Sequence, residues 1–429
     1  MPDILNYDRN PPPDPYAALR VRGFRFYASA WTLAVLGSQM QSMALGWDLY
    51  QKTGNPMVLG WVGLLQAIPV IALALPAGHL ADKFDRRKIL VVSQVGSVLT
   101  AIGLVMCVLS SAPVGAYYAL LFFDAIMNAI GWPARSAIVP QLVPLKTLSN
   151  ALTWNSSFFQ TASVIGPAIG GGVIWLTHSA APAYAIHAAA GLWYILCVLT
   201  IHTRPYTRSK EPLSIQSLLA GIRFVRQQKI VLATISLDLF AVLLGGAVYL
   251  LPAVATDILK VGSFGFGLLR AAPAVGAVCM ALILAHMPPM KHAGRAMLFA
   301  VSGFGVATVI FGLSHNFVLS MIALFFTGAA DNVSVVVRHT LVQVLTPDDM
   351  RGRVSAVNGV FIGASNELGG FESGLTARLF SVTTSIVGGG IGTILVVAGI
   401  DRLFPQVRAF GSLTDARPVK PEEEAPQIT

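Results

Sequence analysis

Gly78-His79-Leu80-Ala81-Asp82-Lys83-Phe84-Asp85-Arg86-Arg87-Lys88 packs two acids and four bases into one short stretch. Residues 58–77 before it and 89–123 after it contain no Asp, Glu, Lys or Arg. An apolar helix of about 20 residues, rising 1.5 Å each, crosses a bilayer. Two spanning-length runs joined by a short charged loop therefore read as a membrane hairpin. The same alternation continues outward in both directions.

The composition agrees: 429 residues, 55% hydrophobic and 11% charged, against roughly 25% charged in soluble domains. The net charge of +9 does not imply nucleic acid, because the bases fall in short clusters between apolar runs rather than in a patch. Cys107, Cys197 and Cys279 sit inside apolar runs and read as packing residues, not disulfides. The N-terminal region has prolines and arginines but no apolar core of a secretory signal.

Segments long and apolar enough to span are expected at 26–50, 58–81, 89–110, 115–138, 151–176 and 182–203. A second set follows at 230–255, 264–287, 296–314, 317–342, 354–380 and 383–404. Backbone groups in lipid must be paired internally, so each is expected to be a helix. The expectation is an all-α integral membrane protein of twelve transmembrane helices. Its divisions are a tail (1–25), a six-helix bundle (26–203), a linker (204–229), a second six-helix bundle (230–405) and a tail (406–429). Lys and Arg concentrate in the loops on one side, which predicts that both tails and the linker are cytoplasmic. In the linker, Ile215, Leu218, Leu219, Ile222 and Val225 recur at helical spacing, predicting an amphipathic helix on the inner membrane surface.

The two halves repeat each other. Gly63-Leu64-Leu65-Gln66-Ala67-Ile68-Pro69 recurs as Gly267-Leu268-Leu269-Arg270-Ala271-Ala272-Pro273, 204 residues on. Phe122, Arg135, Pro144, Asn155, Phe158, Gly166 and Gly171 recur 203 residues on as Phe325, Arg338, Pro347, Asn358, Phe361, Gly369 and Gly374. One near-constant offset across several spans indicates a parallel duplication, and hence two pseudo-symmetric bundles.

On these motifs the chain resembles the major facilitator superfamily of transporters over nearly its whole length, most closely the branch that includes enterobactin-type siderophore exporters. Gly78-x-x-x-Asp82-Lys83-x-x-Arg86-Arg87 resembles the family's signature loop, with Asp85 standing where glycine is usual. Gly166-Pro167-Ala168-Ile169-Gly170-Gly171 resembles the motif of proton-coupled antiporters. The resemblance implies alternating access, with Gly78, Asp82, Arg86, Arg87 and Arg135 forming a gate. Asp82 is expected to pair with Arg135 or with the start of the eleventh helix. Gly166, Gly170 and Gly171 remove side chains at a helix contact and Pro167 bends the helix, a combination suited to a hinge.

Charge at membrane depth costs about 2.5–3.5 kcal/mol per group on insertion scales, so its placement is informative. Spans one, four, seven and ten each hold an aspartate: Asp48, Asp124, Asp238 and Asp331. Span eight adds Arg270 and span eleven adds Glu367. Asp331 and Glu367 lie deepest and are the leading candidates for proton coupling, with Asp238 and Asp124 next. Arg270 is placed to pair with an acid or to bind an anionic substrate group.

The expected partners are the lipid bilayer, protons and a small molecule such as a drug, siderophore or metabolite, moved outward across the cell membrane by a single subunit. No cofactor or metal is expected, since there is no phosphate-binding glycine loop and no His pair at helical spacing. A uniporter or importer of the same fold is the nearest alternative. An integral-membrane enzyme lacks its clustered nucleophile and base, and a non-transporting sensor lacks a soluble signalling domain.

Overall fold

The computed structural model describes residues 14–201, 215–288 and 290–411. Twelve long helices run through them: α1 Arg22–Thr53, α2 Pro56–Lys83, α3 Arg86–Leu109, α4 Val114–Leu142, α5 Leu145–Thr177 and α6 Ala181–Thr200. After the linker helix Ile215–Gln227 come α7 Lys229–Ile258, α8 Gly262–His286, α9 Ala293–Leu313, α10 Phe317–Leu345, α11 Asp348–Leu379 and α12 Val382–Leu403. Ten of the twelve are long and apolar enough to cross a membrane on composition alone; α1 and α11 are the two that are not. These two carry charges near their ends, and α11 also holds Glu367 and Glu372 within its length.

The duplication is visible in the packing. In the first half α1 packs on α5 and α6, α4 on α2 and α3, and α3 on α6. In the second half α7 packs on α11 and α12, α10 on α8 and α9, and α9 on α12. The same pattern of neighbours is used twice, so two six-helix bundles result. They meet through α2 against α11 and α5 against α8, pairs that the same two-fold exchanges.

Local chemistry sets the helix ends. Gly54 closes α1 at φ +60, with its N–H donating to the Tyr50 carbonyl, a left-handed cap that favours glycine. Asn55 then accepts from Met57 N at 3.0 Å and Pro56 opens α2. α5 and α11 begin about two turns earlier than their apolar pattern predicts. Each starts directly after a repeat-related proline, Pro144 and Pro347, because proline fixes an extended approach and helix grows freely beyond it.

The hairpin at 78–88 also has a local explanation. Asp85 adopts φ -60 and caps α3, its side chain accepting from Arg87 N at 2.9 Å. That backbone suits any residue, so the glycine usual in the resembled loop is not required here, and a cap of this kind contributes about 1 kcal/mol. Arg87 reaches the open end of α6, donating to the carbonyls of Val198 at 3.2 Å and Leu199 at 2.6 Å. Arg86 is buried and donates to the Ala137 carbonyl on α4 at 3.0 Å. Gly78 is buried near the end of α2.

The bundles take in more of both ends than the apolar pattern indicates. A short helix, Ala17–Arg20, docks on α5: Asn150 and Trp154 both donate to the Pro15 carbonyl, at 2.8 and 2.9 Å. Another, Pro405–Ala409, lies against α9, where Ala293 N donates to the Gly411 carbonyl at 3.0 Å. Residues 1–13 and 412–429 of the expected tails, 202–203 of the expected sixth span and 204–214 of the expected linker lie outside the described residues.

Candidate functional site

The bundle end that carries the 78–88 hairpin and the linker helix is called the basic end below, and the opposite end the far end. The bundles are joined across the far end. Tyr50 donates its hydroxyl to Asp257, and Gln51 Nε2 donates to Thr256 Oγ1 at 3.0 Å. Trp47 stacks on Phe266 at 5.7 Å, and Trp61 meets Phe371 edge-on at 5.7 Å. Between these contacts the backbones nearly touch. A Cβ on Gly171 would sit 2.6 Å from the Ser263 carbonyl oxygen and 3.0 Å from Gly267 Cα. One on Gly267 would sit 2.5 Å from the Pro167 carbonyl oxygen.

The four glycine-motif residues thus have different neighbours. Gly166 and Gly170 bring α5 onto α1, where their Cβ atoms would meet Gln39 and Met40. Gly171 and Pro167 face the second bundle. Replacing Gly171 by valine would push two backbones apart, at a cost of about 1–3 kcal/mol for overpacking. The expected result is a far end shifted toward the open state, read as increased labelling of a cysteine placed at Ser263 in the Gly171→Val protein. Unaltered labelling would show that the contact does not govern closure.

Just inside the joined end lies a cavity of about 180 Å³ lined by residues of both bundles, among them Ser42, Gln66, Tyr249, Arg270 and Glu367. Glu367 on α11 accepts a hydrogen bond from the Tyr249 hydroxyl at 2.7 Å. Arg270 on α8 donates through Nη2 to Ser42 Oγ on α1 at 3.0 Å, across the bundle boundary. One acid, one base and two hydroxyls are therefore gathered where the halves meet. Tyr249 reaches this point because α7 is not a uniform helix: regular α geometry stops at Leu244, a 3-10 turn covers Ala247–Leu250, and a π turn covers Val254–Ile258. Gly245, Gly246 and Pro252 supply the break. Gly- or Pro-interrupted apolar segments are pointers to binding sites in transporters, and that signal stands in the sequence beside Tyr249, whereas Ser42 and Gln66, which are uncharged, carry no comparable signal.

The other expected acids are placed elsewhere. Asp124 accepts from Ser97 Oγ at 2.6 Å and from Asn128 Nδ2 at 3.1 Å, all inside the first bundle. Asp238 forms a buried ion pair with Arg338 between α7 and α10. Asp331, on α10, has no hydrogen-bond or ion-pair partner among the described residues. The arginine at the repeat position of Arg338, Arg135, behaves differently. The Arg135 guanidinium lies 4.7 Å from the centre of the Trp31 ring, and its Nε has no hydrogen-bond partner among the described residues. The Asp82 side chain lies outside the described residues, so its pairing with Arg135 stays a proposal.

A larger cavity, about 880 Å³, lies between α5, α8 and α10 and is lined by apolar residues and glycine alone, including Ile169, Phe264 and Phe325. It carries no group able to hold a proton or a polar ligand, so the smaller mixed cavity is the candidate site.

Residues 13–425 match the profile of a family described as transmembrane secretion effector. The chain is 28% identical over 405 residues to the enterobactin exporter EntS of Escherichia coli O6:K15:H31 (strain 536 / UPEC), covering 91% of this chain and 96% of that protein. It is 26% identical over 394 residues to the enterobactin exporter EntS of Citrobacter koseri, covering 90% and 93%. Among solved structures it is similar to the nucleoside transporter NupG, with TM-score 0.69 and 13% identity over 89% of this chain and 99% of that one. It is also similar to a D-xylose-proton symporter, with TM-score 0.68 and 12% identity over 91% and 98%. At such identities the solved structures establish the fold alone.

Proposed function

The chain belongs to the transmembrane secretion effector family of the major facilitator superfamily, and on that premise we propose that this secondary transporter is a proton-driven exporter of a siderophore or a similarly small, partly apolar molecule. The observation that carries the reading is the mixed cavity in which Glu367–Tyr249 and Arg270–Ser42 meet across the two bundles. The exporters it resembles support the direction of transport and the chemical class.

In this reading the basic end is cytoplasmic, both termini lie inside, and the protein works as a single subunit in the cell membrane. The basic residues of its loops support that orientation. The joined far end is then the closed outward side. Arg270 engages an acidic or phenolic group of the substrate, and Glu367 carries the proton. Proton arrival from outside neutralises Glu367, which weakens the hold of its carboxylate on hydrogen-bond-donating groups of the substrate and releases substrate outward. The Asp82 hairpin closes the inner side while this happens, with Arg86 and Arg87 tying α3 to α4 and α6. Asp331, Asp238 and Asp124 are secondary candidates for the proton.

Inside-out vesicles provide the test. Enterobactin should accumulate when the vesicle lumen is acidic, and a protonophore should abolish the accumulation. Equilibration at the same rate with and without the gradient would replace the proposal with a uniporter.

A further inference from the structure

The linker helix Ile215–Gln227 docks on α11 through a face that takes only Val225 from its apolar pattern. Phe224 and Val225 are buried, and they pack with Val354 and Val357 in the core at the basic end of the second bundle. Gly221 lies between them at the contact: a Cβ there would sit 3.0 Å from the Arg353 carbonyl oxygen and 3.1 Å from Val357 Cγ2. The small residue lets one backbone lie on another, so the linker helix and the start of α11 are in direct contact. The side chains of Ile215 and Leu218, which were expected on the apolar face, lie outside the described residues.

The opposite face is uncovered. Leu219 is 54% exposed and Ile222 is 38% exposed, and Arg223 and Arg226 are exposed beside them. These four fall at i, i+3, i+4 and i+7, the spacing that places residues on one side of a helix. Two aliphatic side chains flanked by two guanidinium groups do not suit open water. They suit the boundary between acyl chains and anionic headgroups, where the aliphatic groups enter the apolar region and the arginines reach phosphate. The helix connects two membrane-spanning segments at their shared end, which sets it at that boundary.

We propose that this face binds anionic phospholipid, with Arg223 and Arg226 on the headgroup phosphates and Leu219 and Ile222 among the upper acyl carbons. Because Gly221 abuts α11, bound lipid anchors the helix that carries Glu367. The occupant is assigned by charge complementarity: a zwitterionic headgroup offers no net charge to two arginines, and each is worth roughly 1 kcal/mol at an anionic surface.

The test uses the full chain in nanodiscs, with a nitroxide on Leu219→Cys in a Cys279→Ser background, and does not depend on transport. Collision with oxygen against a water-soluble nickel complex reads the depth of the label. Raising phosphatidylglycerol in phosphatidylcholine should deepen it. The Arg223→Gln/Arg226→Gln protein should require at least about fivefold more phosphatidylglycerol for half of that change. Equal depth in both lipids, a label that stays in water, or a response unaltered by the double substitution would each overturn the assignment. Unfolding of the double variant is recognised separately by its thermal transition. Loss of proton-driven efflux in vesicles with no change in label depth would count against the export reading, not this one.

Discussion

Glu367→Gln should remove the dependence of efflux on the proton gradient while leaving exchange of substrate across the membrane intact. Glutamine keeps the shape and the oxygen that accepts from Tyr249, which is 2.7 Å from the carboxylate, so the contact between α7 and α11 survives. Only the capacity to gain and lose a proton is lost. A coupling energy of 1–3 kcal/mol corresponds to about 5–150-fold in binding, so gradient-driven accumulation should fall by at least about tenfold. Counterflow, which needs alternating access without a net proton, should stay within about twofold by the same reasoning. Tyr249→Phe provides the complement: it removes the hydrogen bond and retains the carboxylate, so accumulation is reduced but still responds to the gradient. Wild-type accumulation in Glu367→Gln would move coupling to Asp331, whose carboxylate has no partner among the described residues.

The largest effect on stability is expected at the ion pair of Asp238 and Arg338. The Asp238 side chain is 8% exposed and that of Arg338 is 3% exposed. Asp238→Ala leaves a buried guanidinium without its countercharge, which costs about 3–5 kcal/mol when a buried pair is broken from one side. Replacing both, as Asp238→Leu with Arg338→Met, exchanges the pair for apolar volume and should recover most of the loss. Denaturant unfolding in detergent micelles of the single and double variants measures both numbers. A double variant as unstable as the single one would show that the pair does more than satisfy itself. In the first bundle the repeat-related arginine, Arg135, lies over Trp31 instead.

Much of the architecture could be read from residue order. The 78–88 hairpin is a feature of composition, and the repeat offset relates Arg135 to Arg338 and Gly171 to Gly374 without any coordinates. The site was only partly legible, for a physical reason. Position along a span gives depth, and depth picked out Asp331 and Glu367 together. Which one has a partner depends on the helical phase of its neighbours, and α7 changes phase in the middle of an apolar run where hydropathy registers nothing. The linker helix shows the same limit. Counting apolar residues grouped Val225 with Leu219 and Ile222, but Val225 packs inward with Phe224 beside Gly221, whose contribution is the absence of a side chain.

The break in α7 has a mechanical consequence. Three-, four- and five-residue hydrogen-bond registers follow one another between Ala247 and Ile258, and converting one register to another rotates whatever lies beyond it without separating the strand of hydrogen bonds. Tyr249, bonded to Glu367, lies in the 3-10 turn near one end of this segment, and Asp257, bonded to Tyr50 of the opposite bundle, lies in the π turn near the other. A twist imposed at either bond therefore arrives at the other as a change of angle, much as a key turned in a lock moves a bolt it never touches. Shortening this stretch by one residue would rotate its outer part by about 100°, and both bonds would lose their alignment together.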